Sequence, residues 1–219
     1  MNHWTGARTA ALASAESSLK TVDNLLSFVK EGQGKPSAKE RAIFAASVVF
    51  LYGIWENYVE QLAMELVGNL STAIPPERIP DLVRRSLEKK SAWELAITPG
   101  WRSLWVQSVK VSAVGDDGER FGMNTARAGQ VKNLLANCGA PDPFSTTPTN
   151  IIPSHIGSEV TTVPEAVNSL VELRGEIVHT GQVPTSLRKA HVLDWKDFVK
   201  GLCESVDSAA RAQCRTLAS

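Results

Sequence analysis

The chain has 219 residues, which is enough for one sizeable hydrophobic core. Its 23 basic and 23 acidic residues balance to a formal net charge of +0, so the chain lacks the strongly basic character of a DNA-coating protein. Three cysteines without C-x-x-C spacing argue against a disulfide framework and favour reduced thiols.

The first half of the chain predicts three helices. Residues 5–30 form the first one. Ser37 and Glu40 have the spacing of a capping box, and they open a long helix over Ala38–Asn69. This helix would run roughly 45 Å, long enough for the centre of a bundle. Its apolar face consists of Leu51, Ile54, Trp55, Tyr58, Val59, Leu62 and Leu66. Asp81–Ala96 predicts the third helix.

A membrane segment is not expected. The most apolar run, Ile43–Trp55, contains Ser47 and Gly53 and is too short to cross a bilayer, so it is predicted to be a core helix. The residues after Arg8 form no sustained apolar stretch, which argues against a signal or transit peptide. We therefore expect a cytoplasmic protein with no membrane partner.

The middle of the chain has weaker patterns. Trp101–Gly122 has no clean period of 2 or 3.6 residues, and it is predicted to be irregular. Asn124 can cap a helix over Thr125–Asn137. The stretch that follows is rich in Pro, Thr and Ser and predicts a connector. Residues 97–161 are thus expected to be a partly irregular insertion and connector.

The last third of the chain predicts two helices. Thr162 and Glu165 form a second capping-box pattern, which opens the helix that carries Arg174. The closing helix has an apolar face made of Val192, Trp195, Val199, Leu202, Val206 and Ala210. Without repeats or strong strand signals, the chain predicts an all-α bundle in a single domain over residues 1–219.

Arg174 is the most informative residue. It falls within an apolar stripe of its helix, formed by Val163, Val167, Leu170, Val171, Ile177 and Val178. A guanidinium cannot lose its proton in a dry environment, so an anion should meet it. Two anions are possible: a carboxylate from another helix, such as that of Glu56, or the phosphate of a ligand.

His179 follows Arg174 by five residues. On a continuous helix the two side chains would diverge by about 140°. They converge only if the helix ends near Val178, and Gly181 and Pro184 favour such an end. His179 could otherwise be a helix C-terminal residue whose imidazolium suits the helix dipole.

Arginine and histidine together suit phosphodiester chemistry. A fixed cation neutralises charge on a pentacovalent phosphorus, and imidazole moves protons near neutral pH. The chain contains no glycine-rich phosphate loop, no H-E-x-x-H and no G-x-S-x-G. Its four histidines are too scattered for a recognisable metal set, so neither a metal nor a cofactor is expected. Another possibility is base stacking on Trp93, Trp101 and Trp105, beside Arg102 and Lys110, although such residues more often pack in a core.

These motifs together resemble a known family. The run Leu173–Gly181 resembles the Arg-x4-6-His signature of HEPN domains. Trp55–Leu62 on the long helix and Asn124–Phe144 resemble the branch called RiboL-PSP-HEPN. The resemblance covers most of residues 8–213, although only the short motif is diagnostic.

The resemblance implies a metal-independent endoribonuclease with Arg174 and His179 as catalytic residues. Two protomers would pair their motifs in one composite cleft, with RNA as substrate and a homodimer as the active form. Such proteins commonly act as toxins or in antiviral defence, with an antitoxin or defence-system partner. Gly175 stands where active members often have Asn, Asp or His, which predicts a slow enzyme. Glu56, Gly175 and Glu176 are the expected supporting positions.

Two other functions remain open at this stage. The chain could be a catalytically inactive HEPN module that serves dimerisation or RNA binding. It could also bind a phosphate-bearing metabolite through Arg174 without cleaving it.

Overall fold

The computed structural model describes residues 8–30, 34–89, 91, 100–116 and 122–219. Within these ranges the chain forms α-helices and short 3-10 turns, and no β-strand occurs in them. The predicted all-α fold is therefore confirmed. The helices are α1 (Ala10–Ser27), α2 (Ala38–Ala73), α3 (Asp81–Glu88), α4 (Trp101–Val114), α5 (Ala128–Asn137), α6 (Val163–Thr180) and α7 (Lys189–Ala218).

The central helix is α2, as predicted. The Ser37 side chain accepts from the Glu40 N–H, and the Glu40 carboxylate accepts from the Ser37 N–H, so the capping box is present. The helix packs against α1, α4, α6 and α7. All seven side chains of the predicted apolar face are buried. The helix continues one turn beyond the predicted Asn69, because Leu70, Ser71 and the C-cap Ile74 are also buried.

The length of α2 also bears on the membrane prediction. Over 36 residues, with a most apolar window of mean hydropathy 1.4, the helix is long and apolar enough to cross a bilayer. The prediction that this apolar segment is too short is therefore wrong as regards length. However, 56% of that window is buried inside the bundle, as expected for a core helix.

The predicted bounds of the first and third helices were too wide. Helix α1 begins at Ala10, after its N-cap Thr9, and ends at Ser27. Helix α3 ends at Glu88, and the remainder of the predicted Asp81–Ala96 helix lies largely outside the described residues. Both differences concern helix ends, where hydrophobic periodicity carries the least information.

The segment Trp101–Val114 is a regular helix, so the irregular structure predicted there is wrong. Trp105, Val109 and Ala113 repeat every four residues and are buried. Further valines on the other sides of the helix obscured this period in the sequence. Gly115, with φ 85°, follows the last helical residue and lets the chain leave the helix.

Helix α5 begins three residues later than predicted and is not capped by Asn124. Its N-cap is Arg127, whose side chain makes no capping bond. The Ala128 N–H instead donates to the Asn168 side chain of α6, at 3.1 Å. A residue 40 positions away therefore replaces the local cap.

Helices α6 and α7 complete the core. The Thr162 and Glu165 capping box is present at the start of α6. Every predicted apolar residue of α7 is buried. On α6 the prediction is wrong for Val178, which is 47% exposed because it lies beyond the edge of the core. The three cysteines are buried and unpaired, as expected from their spacing.

Candidate functional site

Arg174 lies against the ring of Tyr52. Its guanidinium carbon is 5.1 Å from the centroid of the Tyr52 ring, within the range of a cation–π contact. Tyr52 belongs to α2 and is buried, while Arg174 belongs to α6 and is partly buried. The contact therefore joins the two helices beneath the charged group.

The hydrogen-bonding capacity of Arg174 is incompletely used. Among the residues that the structure describes, its buried Nε has no hydrogen-bond partner. None of the ion pairs within 4.0 Å in the described part of the chain includes Arg174. The predicted alternative of an Arg174–Glu56 pair is therefore not formed. A guanidinium with donors to spare on an apolar helix face is suited to an anionic ligand.

Tyr52 is held in place at its hydroxyl. The hydroxyl donates to Glu56 Oε1 at 2.6 Å and accepts from the Ala126 N–H at 3.0 Å. The Ala126 carbonyl in turn accepts from the Trp55 indole at 3.0 Å. Burial, and then the hydrogen bond to Glu56, raise the pKa of Tyr52 to about 12. The ring under Arg174 is therefore neutral and fixed at physiological pH.

Glu56, a predicted supporting residue, is thus close to the site but acts through Tyr52. It is partly buried, and its carboxylate accepts the hydrogen bond from the Tyr52 hydroxyl. Burial and the charge of Glu56 also raise the pKa of Glu60, one turn further along α2. Glu56 fixes the ring on which the guanidinium rests.

His179 is exposed in the last turn of α6. The expectation that the helix ends near Val178 is wrong by two residues, because the left-handed cap is provided by Gly181, with φ 65°. Since the helix is continuous, Arg174 and His179 point about 140° apart. The structure therefore does not bring the two predicted catalytic residues of one chain together at a single point.

Gly175 determines the space around His179. A Cβ atom at Gly175 would meet only His179 Cδ2, at 3.9 Å. The imidazole therefore leans back over the glycine, one turn before it, as side chains on a helix do. Gly175 provides a gap beside the ring rather than a polar contact.

An apolar groove, lined mainly by α2 and the end of α6, lies one helical turn beyond Arg174. Its volume is about 730 Å³, and its walls include Phe50, Gly53, Ile177 and Val178. Phe50 and Val178 are exposed by 39% and 47%. Val178 is one helical turn after Arg174, so the groove and the guanidinium occupy the same side of α6.

Glu176 is not part of this arrangement. It points about 200° away from Arg174 around α6 and is exposed on the opposite side.

The tryptophans are mostly packed: Trp105 is fully buried, and its indole donates to the Asn137 carbonyl. Trp101 stacks on Trp105, and the Arg102 guanidinium lies over the Trp101 ring. Trp93 lies outside the described residues.

Tyr52 is the residue that sequence reasoning missed. The only signal was its position one turn before Glu56 on the predicted long helix. Periodicity places Tyr52 within an apolar stripe, where an aromatic residue is expected to serve the core. Its role depends on which residue of α6 crosses it, and that is decided by helix packing.

The architecture defines an all-helical protein with an arginine and a histidine near the end of one helix. Residues 127–212, which contain both, match the model of the RiboL-PSP-HEPN family. This match over part of the chain confirms the resemblance to the HEPN superfamily found in the sequence and indicates a nuclease or RNA-binding class. Searches of curated proteins and of solved structures find no significant match to the chain.

Proposed function

We propose that the protein is a metal-independent endoribonuclease that acts as a homodimer. The observation that carries the proposal is the partly buried guanidinium of Arg174, fixed on Tyr52 and without a carboxylate partner. It lies in the HEPN segment, five residues before an exposed histidine. A phosphodiester is the anion that suits both residues.

In the proposed reaction, the ribose 2′-oxygen attacks the neighbouring phosphorus and the bond to the 5′-oxygen breaks. A His179 imidazole takes the proton from the 2′-hydroxyl, or gives one to the leaving 5′-oxygen. Arg174 binds the phosphate and stabilises the negative charge that grows on it. The products are a 2′,3′-cyclic phosphate and a free 5′-hydroxyl.

A second copy of the chain is needed because of the divergence of the two side chains. In one protomer, Arg174 and His179 point about 140° apart. A twofold axis near the end of α6 would bring one protomer's residues towards those of its partner. The groove at Phe50 and Val178 supports this arrangement, since its exposed apolar surface includes Val178, one helical turn after Arg174.

The decisive experiment is cleavage of total RNA and of a defined single strand in the presence of EDTA. Wild type should release 2′,3′-cyclic phosphate ends, and the same sequence as DNA should resist because it lacks the nucleophile. Arg174→Ala should lose about 10²–10³ of the rate, and His179→Ala about 10²–10⁴. Equal cleavage of DNA, or unchanged rates in both variants, would contradict the mechanism.

The inactive-module alternative has its own support. A continuous α6 and Gly175 leave one protomer without a converged Arg–His pair. That function predicts RNA binding that depends on Arg174 and no cleavage at any enzyme concentration. Binding of small phosphates without affinity for RNA would favour a metabolite site instead.

The proposed biological setting is a cytoplasmic toxin or defence effector, regulated by an antitoxin or another defence component. Its support is the family match together with the apolar groove beside the site. Expression of wild type should then arrest growth, while expression of Arg174→Ala should not. Growth arrest by both proteins would count against RNA cleavage as the cause.

A further inference from the structure

A second cavity lies on the side of α6 that faces away from Arg174. Its volume is about 340 Å³, and it lies between α6 and the start of α7. Its walls include His155, Ser169, Glu172, Glu176, His191 and Trp195. The proposed cleavage reaction uses none of these residues. Glu176 was expected from the sequence as a supporting residue, but it has no role in that reaction.

His155 lies in the wall of this cavity and is held through one of its two ring nitrogens. Its Nδ1 is 3.0 Å from Asp194 Oδ2, and a carboxylate there keeps the proton of a neutral imidazole on Nδ1. The ring stacks on His191 with centroids 4.2 Å apart and planes within 6°. The remaining nitrogen, Nε2, is buried and has no hydrogen-bond partner in the described ranges.

Trp195 supplies the complementary group. Its side chain is only 1% exposed, and its indole Nε1, which can only donate, also lacks a partner. The Trp195 and His155 rings meet edge to face with centroids 5.8 Å apart. One buried donor and one buried acceptor are therefore close together in the wall of one cavity. Unpaired buried polar atoms are rare in folded chains and often mark a ligand site.

The charges around the cavity favour a neutral ligand. Glu172 and Glu176 are in its wall and would repel an anion. Burial lowers the pKa of His191, which favours its uncharged form near neutral pH. A metal ion is a poor occupant because parallel stacked imidazoles do not direct their lone pairs at one point. No set of three metal-ligating side chains exists among the described residues.

We propose that this cavity binds the edge of a nucleobase. Nucleobases are uncharged and planar, and their hydrogen-bonding edges carry adjacent donors and acceptors. Trp195 would donate to the base, and His155 Nε2 would accept from it. The volume is at the lower end of the roughly 300–1,000 Å³ of small-molecule sites, which suits a single base. The base could belong to an RNA strand or to a free nucleoside.

The test is a titration of ¹⁵N-labelled protein, followed through its indole N–H signals by NMR. The chain has 6 tryptophans, and Trp195→Phe identifies the relevant signal. Adenosine, guanosine, cytidine and uridine are the probes, and ribose 5-phosphate is the control without a base. We expect at least one nucleoside to shift the Trp195 indole signal while ribose 5-phosphate leaves it unchanged.

His155→Phe keeps a flat ring but removes the acceptor, so it should weaken binding by about tenfold. Should this variant fail to fold, the ¹⁵N signal of His155 Nε2 in the wild type replaces it as the readout, and that signal should move on binding. A 2′-O-methyl RNA strand identifies the source: a shift at lower concentration than with nucleosides indicates a strand, and a shift with nucleosides alone indicates a free ligand.

The proposal is overturned if no nucleoside moves the Trp195 signal, if ribose 5-phosphate moves it equally, or if folded His155→Phe binds as well as wild type. Arg174→Ala should bind nucleosides as wild type does. The result is therefore separable from the proposed function, since the base site could fail while RNA cleavage persists, or the reverse.

Discussion

Asp207 on α7 and Arg174 on α6 are both charged side chains on the core face of a helix, yet their surroundings differ. Asp207 is fully buried and accepts hydrogen bonds from Thr9 and from Arg211 Nε. Thr9 is itself the N-cap of α1. Arg174 has an aromatic ring beneath it and, within the described part of the chain, an Nε without a partner and no carboxylate in an ion pair.

The difference separates a structural cluster at Asp207 from the candidate site at Arg174. At Asp207, the partners within the chain compensate the buried charge, and the cluster ties the first helix to the last. At Arg174, the chain provides a support for the charge but leaves donors unused. An external anion could therefore gain more at Arg174 than at any fully paired buried charge.

The largest expected effect is on the Asp207 side of this comparison. Asp207→Ala should lower the free energy of unfolding by about 3–5 kcal/mol, because it leaves Arg211 and Thr9 without their buried acceptor. Urea denaturation measures the change. Asp197→Ala, on an exposed position of the same helix, is the matched control and should change little. A loss below about 1 kcal/mol at Asp207 would mean that the cluster is not a structural anchor.

An alkaline titration tests the support beneath Arg174. Burial, first of all, raises the pKa of Tyr52 to about 12, and burial raises that of Tyr58 well above its usual range. The neutral phenols therefore stabilise the fold fully below pH 10.0, the ordinary tyrosine pKa. The Tyr52 contribution is then lost as the pH rises through about 12.

Absorbance at the tyrosinate band should consequently stay low until the protein unfolds, while the urea-unfolded chain titrates normally. Tyr52→Phe should remove the contribution of Tyr52 to the alkaline pH dependence of stability and leave the contribution of Tyr58. Normal ionisation of either tyrosine in the folded protein would contradict the buried geometry.

A smaller effect is expected next to His179. Gly175→Ala should raise the free energy of unfolding by about 0.5–1 kcal/mol, because glycine is unfavourable inside a helix. The new methyl group meets His179 Cδ2 at an ordinary 3.9 Å. Gly201→Ala is the control, since its Cβ would come within 3.4 Å of Ile151 and the gain should be offset. Equal gains at both positions would show that the contacts are irrelevant.

The smallest effect on stability is predicted for Arg174 itself. Arg174→Met should leave the free energy of unfolding within about 0.5 kcal/mol of wild type, or raise it, because no ion pair is lost. Its affinity for a non-cleavable RNA strand should nevertheless fall markedly. Thermal unfolding and fluorescence anisotropy measure the two quantities. A loss of stability similar to that of Asp207→Ala would remove the distinction between site and scaffold.

Local signals were sufficient for much of the fold. The capping boxes at Ser37 and Thr162 and the apolar faces of α2 and α7 are properties of neighbouring residues, and all are present. Asn124 shows the limit of this reasoning. Its type and position suit an N-cap, but Asn168 of a different helix reaches the amide instead.

The same division applies to the candidate site. By itself the sequence determined that the chain is helical, that Arg174 lies on an apolar face, and that the Arg174–His179 spacing resembles a HEPN motif, because periodicity and short motifs depend on residues a few positions apart. Only the tertiary structure decided that Tyr52 rather than Glu56 contacts Arg174, that Val178 is exposed beside a groove, and that His155 and Trp195 share a cavity. These contacts depend on how helices cross, and the crossing results from packing the whole core rather than from any local pattern.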